Sequence, residues 1–235
     1  MIRATYSIGA YKLIVVQVLL SSYETFNYLL CRDGLAILID CGEAAPVFQV
    51  LEKENLQLTD ILITHNHGDH VGGCRAVQDR LGVLSVSPGV ESRTFEILGT
   101  PCRSFATPGH LDICKSYCFP DLGIIFVGDT IIGGAVGRMM DGAAEPFFQS
   151  LEKIKQLPDE TIVFGGHDYL EENAAFALSV NPENDAMRER LELYEAEPLA
   201  AVFQTLENEK KSNPFLQAES AEEFAELRLK KDRFG

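Results

Sequence analysis

The amino-acid sequence predicts an α/β (α+β) fold in which an α/β region, residues 1–168, precedes a small helical domain, residues 169–235. Short apolar segments of strand composition recur through the first region and alternate with amphipathic helical segments. After Gly166 the strand pattern stops and only helical segments follow. Strand-forming and helix-forming segments are therefore separated along the chain, which indicates two structural units.

The individual elements follow from apolar periodicity and from turn residues. Gly34 separates the second and third strands, and the first helix carries Val47, Val50 and Leu51 on one face. The predicted strands are residues 13–20, 27–31, 36–40, 61–64, 84–86, 103–106, 116–119, 124–127 and 161–164. The predicted helices are residues 46–54, 71–81, 147–157, 171–180, 185–195 and 221–231.

Composition limits the partners and the location of the protein. The chain has 235 residues and a formal net charge of −15, which opposes nucleic-acid binding because such binders usually present a basic face. No apolar run approaches the ~20 residues of a transmembrane helix, and residues 13–20 lack a signal-peptide cleavage pattern. We expect no nucleic-acid, membrane or obligate protein partner, a cytoplasmic location, and six cysteines that remain free thiols.

The strongest local signal is the segment THNHGDH, residues 64–70, which follows a predicted apolar strand. Functional residues are often placed on such loops. In extended backbone, side chains two residues apart point the same way, so His65 and His67 can bind one metal together. After the turn at the following glycine, Asp69 and His70 can face a neighbouring metal.

Three further candidates follow predicted strands downstream, each directly after a glycine. They are His110 in TPGH, Asp129 in GDT and His167 in GGH. The chain has five histidines, and all five occur at these strand ends. Structural histidines would be scattered, so this distribution indicates a shared function. For Asp129 alone, a helix cap is the alternative interpretation.

The chemistry of these residue types favours two metal ions. Imidazole and carboxylate suit zinc, iron or manganese, and a catalytic metal keeps about three protein ligands and an open position for water. Seven side chains supply two such ions if one carboxylate bridges them. Two metals ~3.5–4 Å apart activate water at neutral pH and polarise a carbonyl group. The sequence thus predicts two divalent ions, zinc foremost and iron or manganese as alternatives.

The pattern His-x-His-x-Asp-His, followed by a distant histidine, Gly-Asp and Gly-His, resembles the metallo-β-lactamase superfamily. The resemblance implies an αββα four-layer sandwich with a small C-terminal helical domain. It also implies that Asp69 and Asp129 are catalytic. The implied ligands are His65, His67 and His110 for the first metal, Asp69, His70 and His167 for the second, and Asp129 as the bridge.

Other segments resemble glyoxalase II, the hydroxyacylglutathione hydrolases, over nearly the full length. They are HVGG at 70–73, TPGH at 107–110, GDT at 128–130, GHDY at 166–169, NPFL at 213–216 and RLKKDRF at 228–234. This resemblance implies hydrolysis of a glutathione thioester, such as S-D-lactoylglutathione, to glutathione and a 2-hydroxy acid. Residues 1–168 would be the catalytic domain and residues 169–235 a substrate-binding domain.

By position, the family resemblance implies that Arg138, Tyr169, Arg228 and Lys231 bind the substrate. For Arg228 and Lys231 the alternative is a solvated helix end that the helix dipole favours. For Tyr169 the alternative is an aromatic ring packed at the domain junction. The stretch Arg138-Met139-Met140 departs from the family, which usually has a tyrosine in this loop.

Two other functions remain open from the sequence. One is a glutathione persulfide dioxygenase on the same scaffold, which would use a single iron. The other is a different hydrolase of the superfamily, such as a lactonase or a β-lactamase-like enzyme, because activated water attacks many carbonyl groups. The number of metal ions per chain distinguishes the first of these from a binuclear hydrolase.

Overall fold

The computed structural model describes residues 1–20, 23–86 and 91–234, and within these residues eleven strands form two sheets. The first sheet has six strands in chain order: β1 Ile2–Ile8, β2 Tyr11–Leu20, β3 Tyr23–Arg32, β4 Leu35–Ile39, β5 Gln57–Leu62 and β6 Leu84–Val86. The second sheet has the spatial order β11, β10, β9, β8, β7. These strands are β7 Arg93–Ile97, β8 Thr100–Ala106, β9 Lys115–Phe119, β10 Ile124–Gly128 and β11 Ile162–Gly165.

The two faces of each sheet pack into different cores because successive strand side chains point in opposite directions. In β2, Leu13 and Val15 lie between the sheets, where they join residues of the second sheet such as Phe126. The alternate residues Ile14 and Val16 belong to a separate core on the outer face of the first sheet. Both faces of the sheet are therefore buried, which explains the near-continuous apolar run in this strand.

Helices cover both outer faces. Helices α1 Ala44–Lys53 and α3 Cys74–Leu81 pack on the first sheet. Helix α4 Ala144–Lys155 packs on the second sheet through Phe147, Leu151 and Ile154. The result is the expected αββα sandwich, and this prediction is confirmed.

The C-terminal part of the chain is helical from residue 170. Its helices are α5 Leu170–Val180, α6 Asp185–Ala196, α7 Pro198–Val202, α8 Leu206–Ser212, α9 Pro214–Gln217 and α10 Ala221–Asp232. Phe176, Phe215 and Phe224 join the core behind the second sheet. Met187 and Phe203 join the core between the sheets. The helical segment is therefore packed into the sandwich.

Several elements were not predicted from the sequence. The strands β1 and β7 have few consecutive apolar residues, and in β1 alternate positions are exposed. The short helices α7, α8 and α9 span only four to seven residues, too few for a helical period to appear. The helix predicted at 71–81 is divided at Gly72-Gly73, and a short helix α2 Gly68–Val71 precedes α3.

Two predictions from the sequence concern the state of the cysteines and the presence of membrane-spanning helices. All six cysteines are buried free thiols, as expected. In the described part of the chain, no helix is long and apolar enough to cross a bilayer. The cytoplasmic location stays a prediction.

Candidate metal centre and substrate cavity

The predicted ligands meet at one edge of the sandwich. His65 and His67 follow β5, His110 follows β8, Asp129 follows β10 and His167 follows β11. β5 is parallel to β4 and β10 to β11, so within each pair the carboxyl ends lie on the same side. Backbone hydrogen bonds join the sheets at this edge, with the Phe26 amide donating to the Gly166 carbonyl at 2.8 Å.

The first group of ligands contains three histidines and one aspartate. His67 Nδ1 lies 3.2 Å from His65 Nε2 and 2.9 Å from His110 Nε2. These three nitrogens and a carboxylate oxygen of Asp129 lie within 4.8 Å of one another. Converging donors of this kind suit one metal ion, and the set matches the first group implied by the sequence.

The second group contains Asp69, His70 and His167. Asp69 and His70 are both on α2, so one turn of helix presents them together. His167 Nε2 lies 3.3 Å from both His70 Nε2 and Asp69 Oδ2. The Thr25 hydroxyl donates to Asp69 Oδ2 at 3.2 Å and orients that carboxylate.

Asp129 lies between the two groups. Its Oδ2 is 3.6 Å from His110 Nε2 and 3.4 Å from His167 Nε2. Its Oδ1 is buried and has no donor in hydrogen-bonding geometry among the residues described. A buried carboxylate oxygen without a donor is costly, and a cation between the groups would satisfy it. The residues therefore fit a metal centre that Asp129 bridges.

Gly166 allows the close approach of these ligands. A Cβ atom at this position would lie 2.4 Å from Asp129 Oδ1 and 2.7 Å from His70 Cε1. Any side chain would therefore displace a ligand, which gives a physical reason for the Gly-His pair in the sequence.

Three histidines are oriented by hydrogen bonds from the ring nitrogen that faces away from the centre. His110 Nδ1 donates to the Arg138 carbonyl at 2.7 Å, and His167 Nδ1 donates to the Glu24 carbonyl at 2.7 Å. His70 Nδ1 donates to Asp40 Oδ2 at 2.8 Å. Such outer partners fix the tautomer and leave Nε2 available as a ligand.

Asp40 is a candidate functional residue that the sequence analysis missed. It directly follows β4, is buried, and has a positive φ of 57°. Besides His70, its carboxylate accepts hydrogen bonds from the Thr64 amide at 2.8 Å and the Thr64 hydroxyl at 2.7 Å. The available signal was an aspartate at the end of a buried strand, the same signal that identified Asp129.

The charges of the cluster favour a cation. Burial lowers the pKa of His70 and His167, but the negative charge of Asp129 raises the pKa of both. Asp40 also raises the pKa of His70. The pKa of His70 is thus well above its usual range, and that of His167 is about 9. Burial raises the pKa of Asp129, but the charges of His167 and His70 hold it well below the usual range. The carboxylates therefore favour positive charge here, and divalent metals supply it while displacing ligand protons.

A cavity of about 850 Å³ opens from the cluster towards the helical segment. Its floor includes His67, Asp69, His110, Asp129 and His167. Helices α5 and α10 supply the opposite wall. A substrate held in this cavity would contact both the metal ligands and the C-terminal helices.

All four predicted substrate residues line this cavity. The Tyr169 ring stacks on His167, with ring centroids 5.0 Å apart and planes 6° from parallel. The Lys231 Nζ lies 5.2 Å above the Phe176 ring. Arg228 is buried, with 2% of its surface exposed, so the solvated-helix alternative is wrong for this residue. Arg138 lies in the loop that begins at Asp129. Binding of substrate by these four residues stays a prediction.

Comparison with known proteins agrees with the fold. A family model described as Metallo-beta-lactamase superfamily matches residues 23–103 and 94–167, and one described as Hydroxyacylglutathione hydrolase C-terminus matches residues 168–234. The hydroxyacylglutathione hydrolase of Rhizobium meliloti is 35% identical over 245 residues, covering 90% of this chain and 96% of the relative. The chain belongs to the hydroxyacylglutathione hydrolase family of the metallo-beta-lactamase superfamily.

Other similar proteins span a comparable length. The hydroxyacylglutathione hydrolase of Microcystis aeruginosa is 36% identical, covering 85% of this chain and 91% of the relative. The crystal structure of ETHE1 from Myxococcus xanthus has a TM-score of 0.69 and 25% identity, covering 92% of this chain and 90% of that one. A B3 metallo-beta-lactamase, BLEG-1, shares the fold with a TM-score of 0.67 at 22% identity, covering 87% of this chain and 100% of that one. The resemblance to the hydroxyacylglutathione hydrolase family is confirmed.

Proposed function

We propose that this chain is a binuclear metallohydrolase that cleaves a glutathione thioester, such as S-D-lactoylglutathione, into glutathione and a 2-hydroxy acid. One observation carries the proposal. Five residues of the seven-residue His/Asp cluster line a cavity whose opposite wall belongs to the hydroxyacylglutathione hydrolase C-terminal segment. Fold, cluster and wall are thus combined in one site.

The proposed ligands divide between two divalent ions. His65, His67 and His110 would hold the first, and Asp69, His70 and His167 the second, with Asp129 shared. When bound, such ions supply Lewis acidity that lowers the pKa of water towards ~7 and polarises a carbonyl group. Zinc is the first candidate, with iron and manganese as alternatives for the same donor set.

The two catalytic aspartates would act as carboxylates throughout. Burial raises the pKa of Asp69, but the contact with His167 and the charge of His70 hold it well below its usual range. The pKa of Asp129 is held below its usual range by the same two histidines. Neither is therefore a proton donor at neutral pH. Asp69, which lines the cavity, is suited to orienting a water molecule by accepting its hydrogen bond.

The substrate side of the cavity suits an anionic ligand. Arg138, Arg228 and Lys231 place three cationic groups around this cavity in a protein whose net charge is −15. Glutathione carries two carboxylates, and guanidinium and ammonium groups bind carboxylates with charge-assisted hydrogen bonds. We propose that Arg138 and Lys231 bind these carboxylates and that Tyr169 contacts the glutathione backbone.

The test is a turnover assay with S-D-lactoylglutathione on protein whose metal content has been measured. We expect two metal ions per chain, thioester hydrolysis, and a raised KM in Lys231→Ala with kcat largely kept. Lys230→Ala is the matched control, because Lys230 is exposed on the same helix and does not line the cavity.

Other outcomes would replace the proposal. A single iron per chain with oxygen consumption on glutathione persulfide would establish the dioxygenase instead. Two metals per chain, with turnover of lactones or β-lactams but not of the thioester, would support the hydrolase assignment and reject the glutathione thioester as substrate.

A further inference from the structure

The wall of the cavity contains one carboxylate that belongs to neither group of proposed metal ligands. Among the described residues, the acidic side chains that line the cavity are Asp69 and Asp129, both in the metal cluster, and Glu172 of α5. Glu172 lies in the first turn of that helix and is exposed. A negative group repels the carboxylates of a bound substrate, so its place in this wall needs a physical explanation.

Helix geometry sets the position of Glu172. Helical residues four apart lie on the same face, so Glu172 and Phe176 share one side of α5. Lys231 Nζ of α10 lies 5.2 Å above the Phe176 ring. Burial lowers the pKa of Lys231, and the negative charge of Glu172 opposes this. Glu172 therefore lies on the side of α5 that faces α10 across the cavity.

The carboxylate of Glu172 is not paired within the described part of the chain. The neighbouring acid Asp232 of α10 is paired, since its Oδ1 lies 3.0 Å from Arg228 Nη2. Glu172 forms no such ion pair, and its side chain makes no hydrogen bond to another described residue. Its oxygens therefore remain open to a ligand in the cavity, and a carboxylate accepts hydrogen bonds only from donor groups.

The substrate proposed above carries one group of the matching kind. Besides its two carboxylates, glutathione has an ammonium group on the γ-glutamyl residue. An ammonium and a carboxylate form charge-assisted hydrogen bonds. The cations Arg138, Arg228 and Lys231 would repel this ammonium, whereas Glu172 would attract it. Among the described lining residues, Glu172 is the acidic one that no metal ion would occupy.

We propose that Glu172 binds the ammonium group of the substrate's glutathione and selects thioesters whose thiol carries that positive charge. The inference rests on the glutathione thioester function proposed above. Glu172 adds to that function a specificity-determining residue on α5. The contact is made equally in the bound substrate and during the reaction, so it affects binding and leaves kcat unchanged.

A purely structural role for Glu172 makes a different prediction. An acidic residue in the first turn stabilises a helix through the helix dipole, whether or not a ligand is bound. The neighbouring Glu171 is also exposed and lies in the same turn, but it does not line the cavity. Glu171→Gln is therefore the matched control, because it removes the same charge from the same turn and leaves the cavity wall intact.

The experiment compares a ligand that has the ammonium with one that lacks it. Isothermal titration calorimetry measures the Kd of S-methylglutathione and of N-acetyl-S-methylglutathione for zinc-loaded wild type, Glu172→Gln and Glu171→Gln. We expect Glu172→Gln to weaken binding of S-methylglutathione by about two- to fivefold, the usual size of an exposed ion pair. KM for S-D-lactoylglutathione should rise by a similar factor with kcat unchanged, and Glu171→Gln should match wild type.

The acetylated ligand isolates the charge. Its added bulk acts on all three proteins, so the difference between them reports the ammonium contact. We expect N-acetylation to weaken binding to wild type and to Glu171→Gln by about two- to fivefold more than to Glu172→Gln.

Two outcomes would overturn the inference alone, provided that wild type hydrolyses the thioester. One is an equal effect of N-acetylation on wild type and Glu172→Gln. The other is tighter binding of both ligands by Glu172→Gln, which would show that the carboxylate repels the substrate. Wild-type protein that neither binds S-methylglutathione nor hydrolyses S-D-lactoylglutathione would reject the proposed function, and this inference with it. Binding with the expected difference but without hydrolysis would reject the reaction and support the ammonium contact.

Discussion

At the scale of single residues, the proposed metal ligands are supported by a second set of groups that hold their rings in place. His70 depends on Asp40, His110 on the Arg138 carbonyl, and His167 on the Glu24 carbonyl. A carboxylate behind an imidazole also raises the basicity of the ligand nitrogen. Asp40 is therefore the support whose removal should have the clearest effect.

We predict that Asp40→Asn weakens metal binding by about 10–100-fold, the usual effect of losing an outer carboxylate. The amide removes the negative charge that favours His70 as a ligand. Chelator competition measures the change. Asp33→Asn is the control, because Asp33 also has a positive φ, 52°, but is exposed and remote from the cluster. Equal metal affinity in the two variants would contradict the assignment.

Lys231 carries a pH-dependent charge in the cavity wall. Its pKa is lowered to about 8 because burial and the charges of Arg228 and Arg138 disfavour the ammonium form, while Glu172 and Asp232 oppose this. Below that pKa the ammonium can bind a substrate carboxylate. Above it the charge is lost.

We therefore predict that KM for S-D-lactoylglutathione rises as the pH increases through about 8. Lys231→Arg keeps its charge and should remove the rise, whereas Lys231→Ala should have a high KM at every pH. Initial rates corrected for spontaneous hydrolysis measure this. The same rise with pH in the Lys231→Ala variant would exclude Lys231 as its cause.

At the scale of secondary-structure elements, the site depends on where strands end and on how one helix begins. Helix α10 carries both Arg228 and Lys231. Its N-cap Ser220 accepts from the Glu223 amide at 3.2 Å, and the Glu223 carboxylate accepts from the Glu219 amide at 2.8 Å. The first contact satisfies an amide of the first helical turn, which has no partner within the helix, and the second holds the residue that precedes the N-cap.

Ser220→Ala should lower the free energy of unfolding by about 1 kcal/mol, the usual contribution of an N-cap. For a chain of this size that corresponds to a decrease in Tm of roughly 2–4 °C. Thermal unfolding followed by circular dichroism measures it. Ser179→Ala serves as the control, because Ser179 lies in the last turn of α5 and caps no helix start. An unchanged Tm for Ser220→Ala would show that the cap contributes nothing.

At the scale of the whole molecule, the proposed metal centre joins parts of the chain that are distant in sequence. Its ligands extend from His65 to His167 and come from the ends of strands in both sheets. Bound metals therefore link the two sheets at the open edge of the sandwich. A ligand that binds only the folded state stabilises it in proportion to its binding free energy.

Removal of the metals should therefore lower the stability of the whole fold. A metal present at 100 times its Kd contributes about 2.7 kcal/mol, so chelation should lower Tm by several degrees. Differential scanning calorimetry before and after treatment with EDTA measures the shift, and added zinc should restore both Tm and activity. A Tm that does not change, on protein shown to have lost its metal, would contradict the proposed link between the sheets.

The fold and the candidate ligands were predictable because their signals are local. Each ligand follows a buried strand, often with an intervening glycine, and the strand period and helix period can be read within short windows. The strands β1 and β7 were missed because they lack apolar runs, and the helices α7 to α9 because they are too short to show a period.

By itself, the sequence determined the αββα sandwich, the helical C-terminal segment and the seven candidate ligands. Only the tertiary structure decided two contacts: Asp40 lies behind His70, and Arg228 is buried and bound to the Val136 carbonyl instead of projecting into solvent. The physical reason is the distance along the chain over which the interactions act. Strand and helix patterns arise between neighbours in the chain, whereas Arg228 and Val136 are 92 residues apart and meet only when the helical segment packs against the sandwich.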